Sequence, residues 1–567
     1  MLRCIGACLC VAFAMGLAGP AHAAQERRDT LEALERERLQ LQRDELHRQE
    51  YAPGQLSSSR WRSPVAGESP CFRIDEIVLG ADGLDQALLP RFAELLVDLD
   101  EFRKSCLGVQ SLEALRANLQ DRLHENGYLT SRIELPPQNL SAGRLQLKLH
   151  LGRVAGYRVV VNGGESGYVP ANALGFASGD LLRRQDIEQT LENLGRLRSQ
   201  AAQFQIEPGP ELDTSVIAIQ LAGGREWGIN LGIDNAAAQE FGRYQYSLNG
   251  SLDNPLGRAD QLSLNLSRTR RAPGGDAQQR SLLLSYSLPV GRHLLSANVS
   301  RTTHGRSIQG ASTVFAEEGF DASVQLRWQW TAWRTANVRQ NIWMGLVTRR
   351  ARNFVEDTEL LLQRRRSKSM EAGFNTSIRW GDAQLEFSGE CAQGLRVSPD
   401  PDLDTPPPEL PRVSRLQLSL LAPLRPPAWL GASAWGYQAR AQVHHVEHPA
   451  YASDLATLGG RWTVRGISDT GLIAGRSVLS VQQELQLPWR ALALQTQMQP
   501  FVALDLGGEL KSVQADTPER RMAGAALGLR FAREHLNAEI VLARPLYNGG
   551  AAEAGGTQVY LNLFASY

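Results

Sequence analysis

Three short constellations in this sequence carry side chains capable of chemistry. His444-His445-Val446-Glu447-His448 packs metal-capable groups at close spacing. On a strand, however, His444 and His448 share one face while His445 and Glu447 share the other, so a single site would need a loop or a bulge. The reading is therefore an ordinary strand, and no metal or other cofactor is expected. Arg364-Arg365-Arg366 reads as a loop or a lumen-facing patch rather than a dedicated ligand site. No Gly-x-Ser-x-Gly elbow, Walker loop, His-Glu-x-x-His or Cys-x-x-Cys motif occurs, so no enzyme class is indicated.

The six cysteines divide by position. Arg3, the apolar stretch Cys4 to Leu17 and Ala21-His22-Ala23 form a secretory signal pattern over 1–23, which would remove Cys4, Cys8 and Cys10. Cys71 and Cys106 are then candidates for a disulfide in an oxidising periplasm, with Cys391 left as a lone packing cysteine. Beyond the signal no run of about 18 apolar residues occurs, which excludes helical membrane spans. An exported chain of this kind can still cross a membrane as a closed barrel, where every backbone polar group is paired. The 60 basic and 60 acidic residues balance, so net charge points to no nucleic-acid partner.

The elements that must position these residues fall into two halves. Gln25 to Tyr51 is rich in Glu, Arg, Leu and Gln with a thin apolar stripe, which predicts a long polar helix (24–51), followed by a Ser/Gly/Pro-rich flexible linker (52–70). From Cys71 the pattern is α/β. Phe72 to Leu79 predicts a strand, and Ser111 to Asn126 a helix with Leu112, Leu115, Leu119 and Leu123 on one face and Gly127 as its cap. Leu129 to Leu135 and Arg144 to Leu151 predict two further strands. A second unit repeats the theme: strand Arg158 to Asn162, helix Gln185 to Leu197, then strands Gln203 to Glu207 and Thr214 to Leu221.

From Trp227 the pattern changes to short segments of strict alternation. Leu262, Leu264 and Leu266 alternate with Ser263, Asn265 and Ser267, and Asn254-Pro255-Leu256-Gly257 and Pro289-Val290-Gly291 punctuate as turns. A one-sided soluble sheet also alternates. The small polar residues on the second face and the number of segments favour a barrel instead. From Trp227 to Tyr567, at roughly 20 residues per strand and turn, there is room for about sixteen antiparallel strands.

Several stretches then resemble the outer-membrane transporters of two-partner (type V) secretion, the hemolysin and filamentous-hemagglutinin secretion/activation proteins. Asn126 to Val154 looks like that family's first POTRA domain, and Cys71-Phe72-Arg73-Ile74 with Cys106-Leu107-Gly108 resembles its paired cysteine segments. Gln185 to Leu194 and Ile206-Glu207-Pro208-Gly209 look like the second POTRA, and Asp253 to Gly257 like an early periplasmic barrel turn. The most specific match is Gly459-Gly460-Arg461-Trp462-Thr463-Val464-Arg465-Gly466-Ile467, similar to the tip of an outer loop that folds back into the lumen. Ile467 stands where the family has an aromatic.

The resemblance implies a particular anatomy: a plug helix at 24–51, POTRA domains at 71–154 and 155–222 in the periplasm, and an outer-membrane barrel at 223–567. It implies that Arg465 pairs with Asp505 on the inner barrel wall and that Tyr567 ends the chain as the signal read by the barrel-assembly machinery. It also implies a single-copy transporter in outer-membrane lipid. That transporter would recognise the N-terminal secretion domain of one cognate exoprotein, a hemolysin, adhesin or contact-dependent toxin, and translocate it, with activation left open. A barrel-assembly insertase of the same superfamily, or a solute channel, are the alternative readings.

Overall fold

The computed structural model describes residues 61–567 except 104, 163, 166, 236–241, 271–276, 310–312, 398–409, 428–433, 449–453, 469–471, 492–494, 512–518 and 550–555. The expected signal peptide, the plug helix and the first part of the linker lie outside the described residues.

The second part of the linker is not a loose tether. Arg62 N donates to Asn118 Oδ1 at 3.0 Å and Val65 N to Ser111 Oγ at 2.9 Å, laying the segment along helix α1 (Val109–Glu125). That helix begins after Gly108, which has no side chain to cap it. The Glu68 carboxylate does so from outside, accepting from the amides of Gly108, Gln110 and Ser111 at 3.0, 2.7 and 3.1 Å. Composition marks 52–70 as a linker, but a remote carboxylate satisfying helix amides is a long-range contact that composition does not encode.

The first domain closes its core with the leucines that the spacing predicts: Leu115, Leu119 and Leu123 are fully buried against Leu145, Leu147 and Leu149 of a short sheet. The strand expected over Phe72–Leu79 is broken in two, β1 (Phe72–Arg73) and β2 (Glu76–Gly80). Between them Ile74 turns fully into the core, and the amides of Asp75 and Glu76 both donate to Gly143 O. β1 pairs with β3 (Cys106–Leu107), and the Cys71–Cys106 disulfide joins the two. β4 (Arg132–Glu134) is shorter than the expected Leu129–Leu135, because Tyr128 bridges to Arg183 and Ser131 Oγ accepts from Gly152 N, so this stretch serves the junction with the next domain. β5 (Arg144–His150) lies between β2 and β4.

The second domain is a four-stranded sheet in the order β7-β6-β9-β8, with β6 Arg153–Val161, β7 Gly164–Glu165, β8 Gln200–Pro208 and β9 Thr214–Gly223, under helix α2 (Arg184–Gly195). β6 starts two residues before the boundary expected at 155.

The remainder is a closed antiparallel barrel of sixteen principal strands, with two-residue pieces at Thr358–Glu359 and Arg490–Ala491 attached to its hairpins. The alternation sorts the faces as expected: Leu231, Leu248, Leu252, Leu282 and Leu284 are exposed on the outside, whereas Asn265 and Asn249 meet within the lumen side of the wall. Closure joins the first strand, Trp227–Asp234, to the last, Gln558–Ser566, with Asn230 opposite Ser566 and Asp234 opposite Asn562. Tyr567 locks this seam. Its amide donates to Ile229 O at 2.8 Å, its ring lies 5.8 Å from that of Trp227, and the Arg225 guanidinium sits 4.6 Å from the Tyr567 ring.

The second domain is fastened to the barrel rim where the turns are short. Asp186 pairs with Arg292 at 2.6 Å, Glu192 pairs with both Arg334 and Arg339, and Asn172 Nδ2 donates to Arg258 O and Pro289 O. The expected turn at Asp253–Gly257 lies here too: Asn254 and Gly257 adopt left-handed backbone, and Asp253 accepts from Ser199 N at 2.8 Å. This end is therefore the periplasmic one.

The Ser111 hydroxyl, together with the helix amides, holds the Glu68 carboxyl below the usual carboxylate range. A lowered folded-state pKa means the tie is in force at neutral pH and is lost as pH falls through that lowered value. Glu68→Gln is expected to speed proteolytic cleavage within 61–70 and amide exchange at Gln110 and Ser111 at pH 7, and acidification should do the same to the unaltered chain. Unchanged exchange at those two amides would overturn the capping role.

Candidate functional site

The strands Trp435–Glu447 and Ser477–Gln486 are neighbours in the wall, and the chain between them leaves the outer end of one and enters the outer end of the other. Its described part returns into the lumen. Ala456–Leu458 and Ile473–Gly475 pair as a small hairpin stem, and Gly459 to Ile467 form the tip. The tip carries an apolar side: Leu458, Val464, Ile467 and Ile473 are buried against Val478 and Met522 of the inner wall.

Arg465 makes the decisive contact. Nε and Nη2 donate to the two oxygens of Asp505 at 2.7 and 2.8 Å, and the Arg465 backbone amide donates to the same carboxylate at 2.9 Å. Asp505 stands on the strand Gln497–Lys511, whose Val502, Leu504 and Leu506 face outward, so alternation aims Asp505 into the lumen. It is 0% exposed and Arg465 8%. A two-pronged guanidinium–carboxylate pair with a third donor satisfies a carboxylate that would otherwise be costly to bury.

The pair belongs to a longer chain of alternating charge. Arg465 Nη1 reaches Glu484 at 3.3 Å, Glu484 pairs with Arg530 at 2.6 Å, Arg530 with Glu539 at 2.8 Å, and Glu539 with Arg461 at 2.7 Å. Both arginines of the tip thus close the same wall network, three carboxylates against three guanidinium groups. The Arg530 guanidinium also rests 4.2 Å above the Phe501 ring. Glu484, Arg530 and Glu539 are not singled out by sequence, since each looks like one more polar lumen position on an alternating strand.

Glycines make the approach possible. Gly466 has φ +92°, and a Cβ there would stand 2.5 Å from the Arg544 backbone. A Cβ on Gly524 would fall onto the Arg465 carbonyl oxygen, and one on Gly507 would stand 2.7 Å from Val464 Cγ2. Gly459 and Gly460 also have positive φ, and Thr463 Oγ1 closes the turn by donating to Gly459 O at 2.9 Å. Ile467, in place of the family's aromatic, is 2% exposed within the apolar cluster. A ring does reach the tip from elsewhere: Gly466 N donates to Tyr560 Oη at 3.3 Å.

The remaining candidates separate. Arg365 turns inward and binds Asp454 near the start of the returning loop at 2.8 Å, giving it a second tie, while Arg364 pairs with Glu359 at 2.7 Å. His445 contacts Ser477 at 2.5 Å, and among the described residues no group of three or more His, Cys, Asp or Glu is placed to hold a metal ion. Cys391 lies on the strand Ala383–Val397 outside any disulfide.

Asp505→Ala leaves the buried Arg465 guanidinium with only its 3.3 Å contact to Glu484, a change worth about 3–5 kcal/mol. The loop is expected to leave the wall, measured as faster protease cleavage within 454–476 and larger single-channel conductance. Wild-type protection of the loop in this variant would show that Asp505 does not hold it.

Comparison with known proteins agrees with this anatomy. Residues 72–152 match the ShlB-type POTRA domain, 163–208 a further POTRA domain, and 213–531 the haemolysin secretion/activation protein ShlB/FhaC/HecB. The chain is 28% identical over 529 residues to the outer membrane transporter CdiB of Escherichia coli O6:K15:H31, covering 89% of this chain and 84% of that one. It is 26% identical over 280 residues to the hemolysin transporter protein HpmB of Proteus mirabilis, about half of each. The solved structure of CdiB from Escherichia coli superposes with a TM-score of 0.83 at 22% identity, over 98% of this chain and all of that one. The two periplasmic POTRA domains, the sixteen-stranded outer-membrane barrel and a match across more than half its length place this chain in the ShlB/FhaC/HecB family of two-partner secretion transporters.

Proposed function

We propose that the chain exports one cognate secreted protein through its barrel lumen and that the loop carrying Arg465 is the element the passenger must displace or pass. The observation that carries this reading is a loop held inside the lumen by a buried charge network rather than by the continuous backbone pairing of the wall. Such a contact can be broken without unzipping a strand. Relatives are named as an outer membrane transporter, CdiB, and a hemolysin transporter protein, HpmB.

Capture begins at the POTRA domains. β8 is the edge of its sheet, nine residues long, and pairs only with β9 among the described residues. An extended N-terminal secretion domain adding as a further strand there would gain backbone hydrogen bonds with little demand on sequence. The ties of this domain to the rim through Asp186 and Glu192 keep the sheet that carries β8 beside the barrel. In this scheme the helix expected at 24–51, which lies outside the described residues, would act as a plug that withdraws on engagement, and folding of the passenger outside would supply direction, since no nucleotide-binding motif is present in the sequence. No step of this scheme requires catalysis by the chain.

Arg465→Ala is expected to abolish secretion of the partner while the barrel still inserts and shows heat-modifiable migration. Arg465→Lys should be impaired as well, because a point charge cannot reproduce the fork. Depleting the protein should remove one exported protein from the medium. Loss of many outer-membrane barrels instead would favour the insertase, and normal secretion from Arg465→Ala would sink the role given to the loop.

A further inference from the structure

The outer face of the barrel changes character toward its outer end. On the strands His293–Gln309, Val314–Arg334, Val338–Val355 and Arg365–Trp380, the lipid-facing positions Val299, Val324, Leu326 and Leu346 are exposed and apolar. These strands run to 17, 21, 18 and 16 residues, well beyond the roughly 9–11 that a membrane crossing needs. At the next outward-facing positions on the same face the side chains become cationic. Arg301 lies opposite Ala322, Ala322 opposite Arg350, and Arg350 opposite Arg366, a continuous row across four strands. Lys368 and Arg352 flank the row from below and above. The inward face of the same strands is distinct, since Arg349 pairs with Asp321 and Arg365 with Asp454 in the lumen.

The row is short of negative charge. Two arginines directly opposite each other, as Arg350 and Arg366 are, repel, and neither makes an ion pair among the described residues. The acids nearby are engaged or offset: Glu359 pairs with Arg364 and reaches Arg352 at 3.6 Å, and the exposed Glu318 lies further out, opposite Phe354. Arg301 leans over the Phe320 ring at 5.6 Å. The small side chain of Ala322 leaves a concavity of about 270 Å³ bordered by Arg301, Phe320, Arg350, Arg352 and Arg366. At roughly 4.8 Å per strand the row spans about 14 Å, too long for one phosphate and suited to two. Guanidinium forks match phosphate oxygens in pairs.

We propose that this row binds the phosphate groups of an anionic, acylated lipid of the outer leaflet, preferentially one bearing two phosphates on its headgroup, whose acyl chains lie over Val299, Val324, Leu326 and Leu346. The commitment to a lipid rests on continuity: the cations adjoin the apolar belt directly, on the face turned to the membrane.

The test uses the full chain folded in detergent, with diphosphorylated lipid A, its dephosphorylated counterpart of equal acylation, inorganic phosphate and a short polyglutamate peptide as probes, read by native mass spectrometry. Diphosphorylated lipid A should bind and the dephosphorylated form should not. The triple variant Arg301→Gln/Arg350→Gln/Arg366→Gln should lose affinity on the order of tenfold or more with heat-modifiable migration intact. Should the triple variant not fold, Arg350→Gln alone, which relieves the opposed pair, should still weaken binding severalfold. Equal binding of the dephosphorylated lipid, or undiminished binding by the variants, overturns the proposal. Displacement of lipid A by millimolar inorganic phosphate or by polyglutamate would overturn the assignment to a lipid and mark a soluble-anion or protein site.

Discussion

The fork of Arg465 on Asp505 is the contact around which the lumen is arranged. A carboxylate with no exposure to water and a guanidinium almost as buried can coexist only if each satisfies the other. The wall is shaped for the meeting: Gly507 and Gly524 are cut back to the backbone where Val464 and the Arg465 carbonyl approach, and Gly466 takes a backbone conformation that a side chain would oppose. The apolar cluster of Leu458, Val464 and Ile467 adds burial but little direction. Position and angle come from the charges.

Around this contact the scaffold is rigid where it must be. The barrel has no open edge, since its first and last strands pair and Tyr567 closes the seam between Trp227 and Arg225. The second POTRA domain is bound to the periplasmic rim by ion pairs and by side-chain amides on backbone carbonyls. The first POTRA domain joins the second through the Tyr128–Arg183 bridge and the Arg184 N to Gly127 O bond. Against that frame the tip of the inward loop is held to the wall by buried charged side chains rather than by strand pairing.

Much of this was legible in sequence because it is periodic. The leucines of α1 repeat at helical spacing and are buried, and the Leu/Ser alternation around Leu262 to Ser267 separates lipid face from lumen. What escaped is aperiodic. Arg465 and Asp505 are 40 residues apart, and only a resemblance joined them. Glu484, Arg530 and Glu539 occupy unremarkable polar positions: Arg530 and Glu539 face each other within one hairpin, and Glu484 reaches them only through the register of the folded wall. Glu68 sits in a Ser/Gly/Pro-rich stretch that reads as a linker, yet it caps a helix 40 residues on. Ile74 broke an expected strand because the core took its side chain.

The alternating network has an electrical consequence once its two halves separate. Arg461 and Arg465 belong to the loop, whereas Asp505, Glu484 and Glu539 belong to the wall and keep only Arg530 among them. Withdrawal of the tip therefore turns a neutral belt of the pore into an anionic one. An emptied channel would favour cations over anions at this level. A passenger in transit would meet a layer that is more hospitable to its basic segments than to its acidic ones.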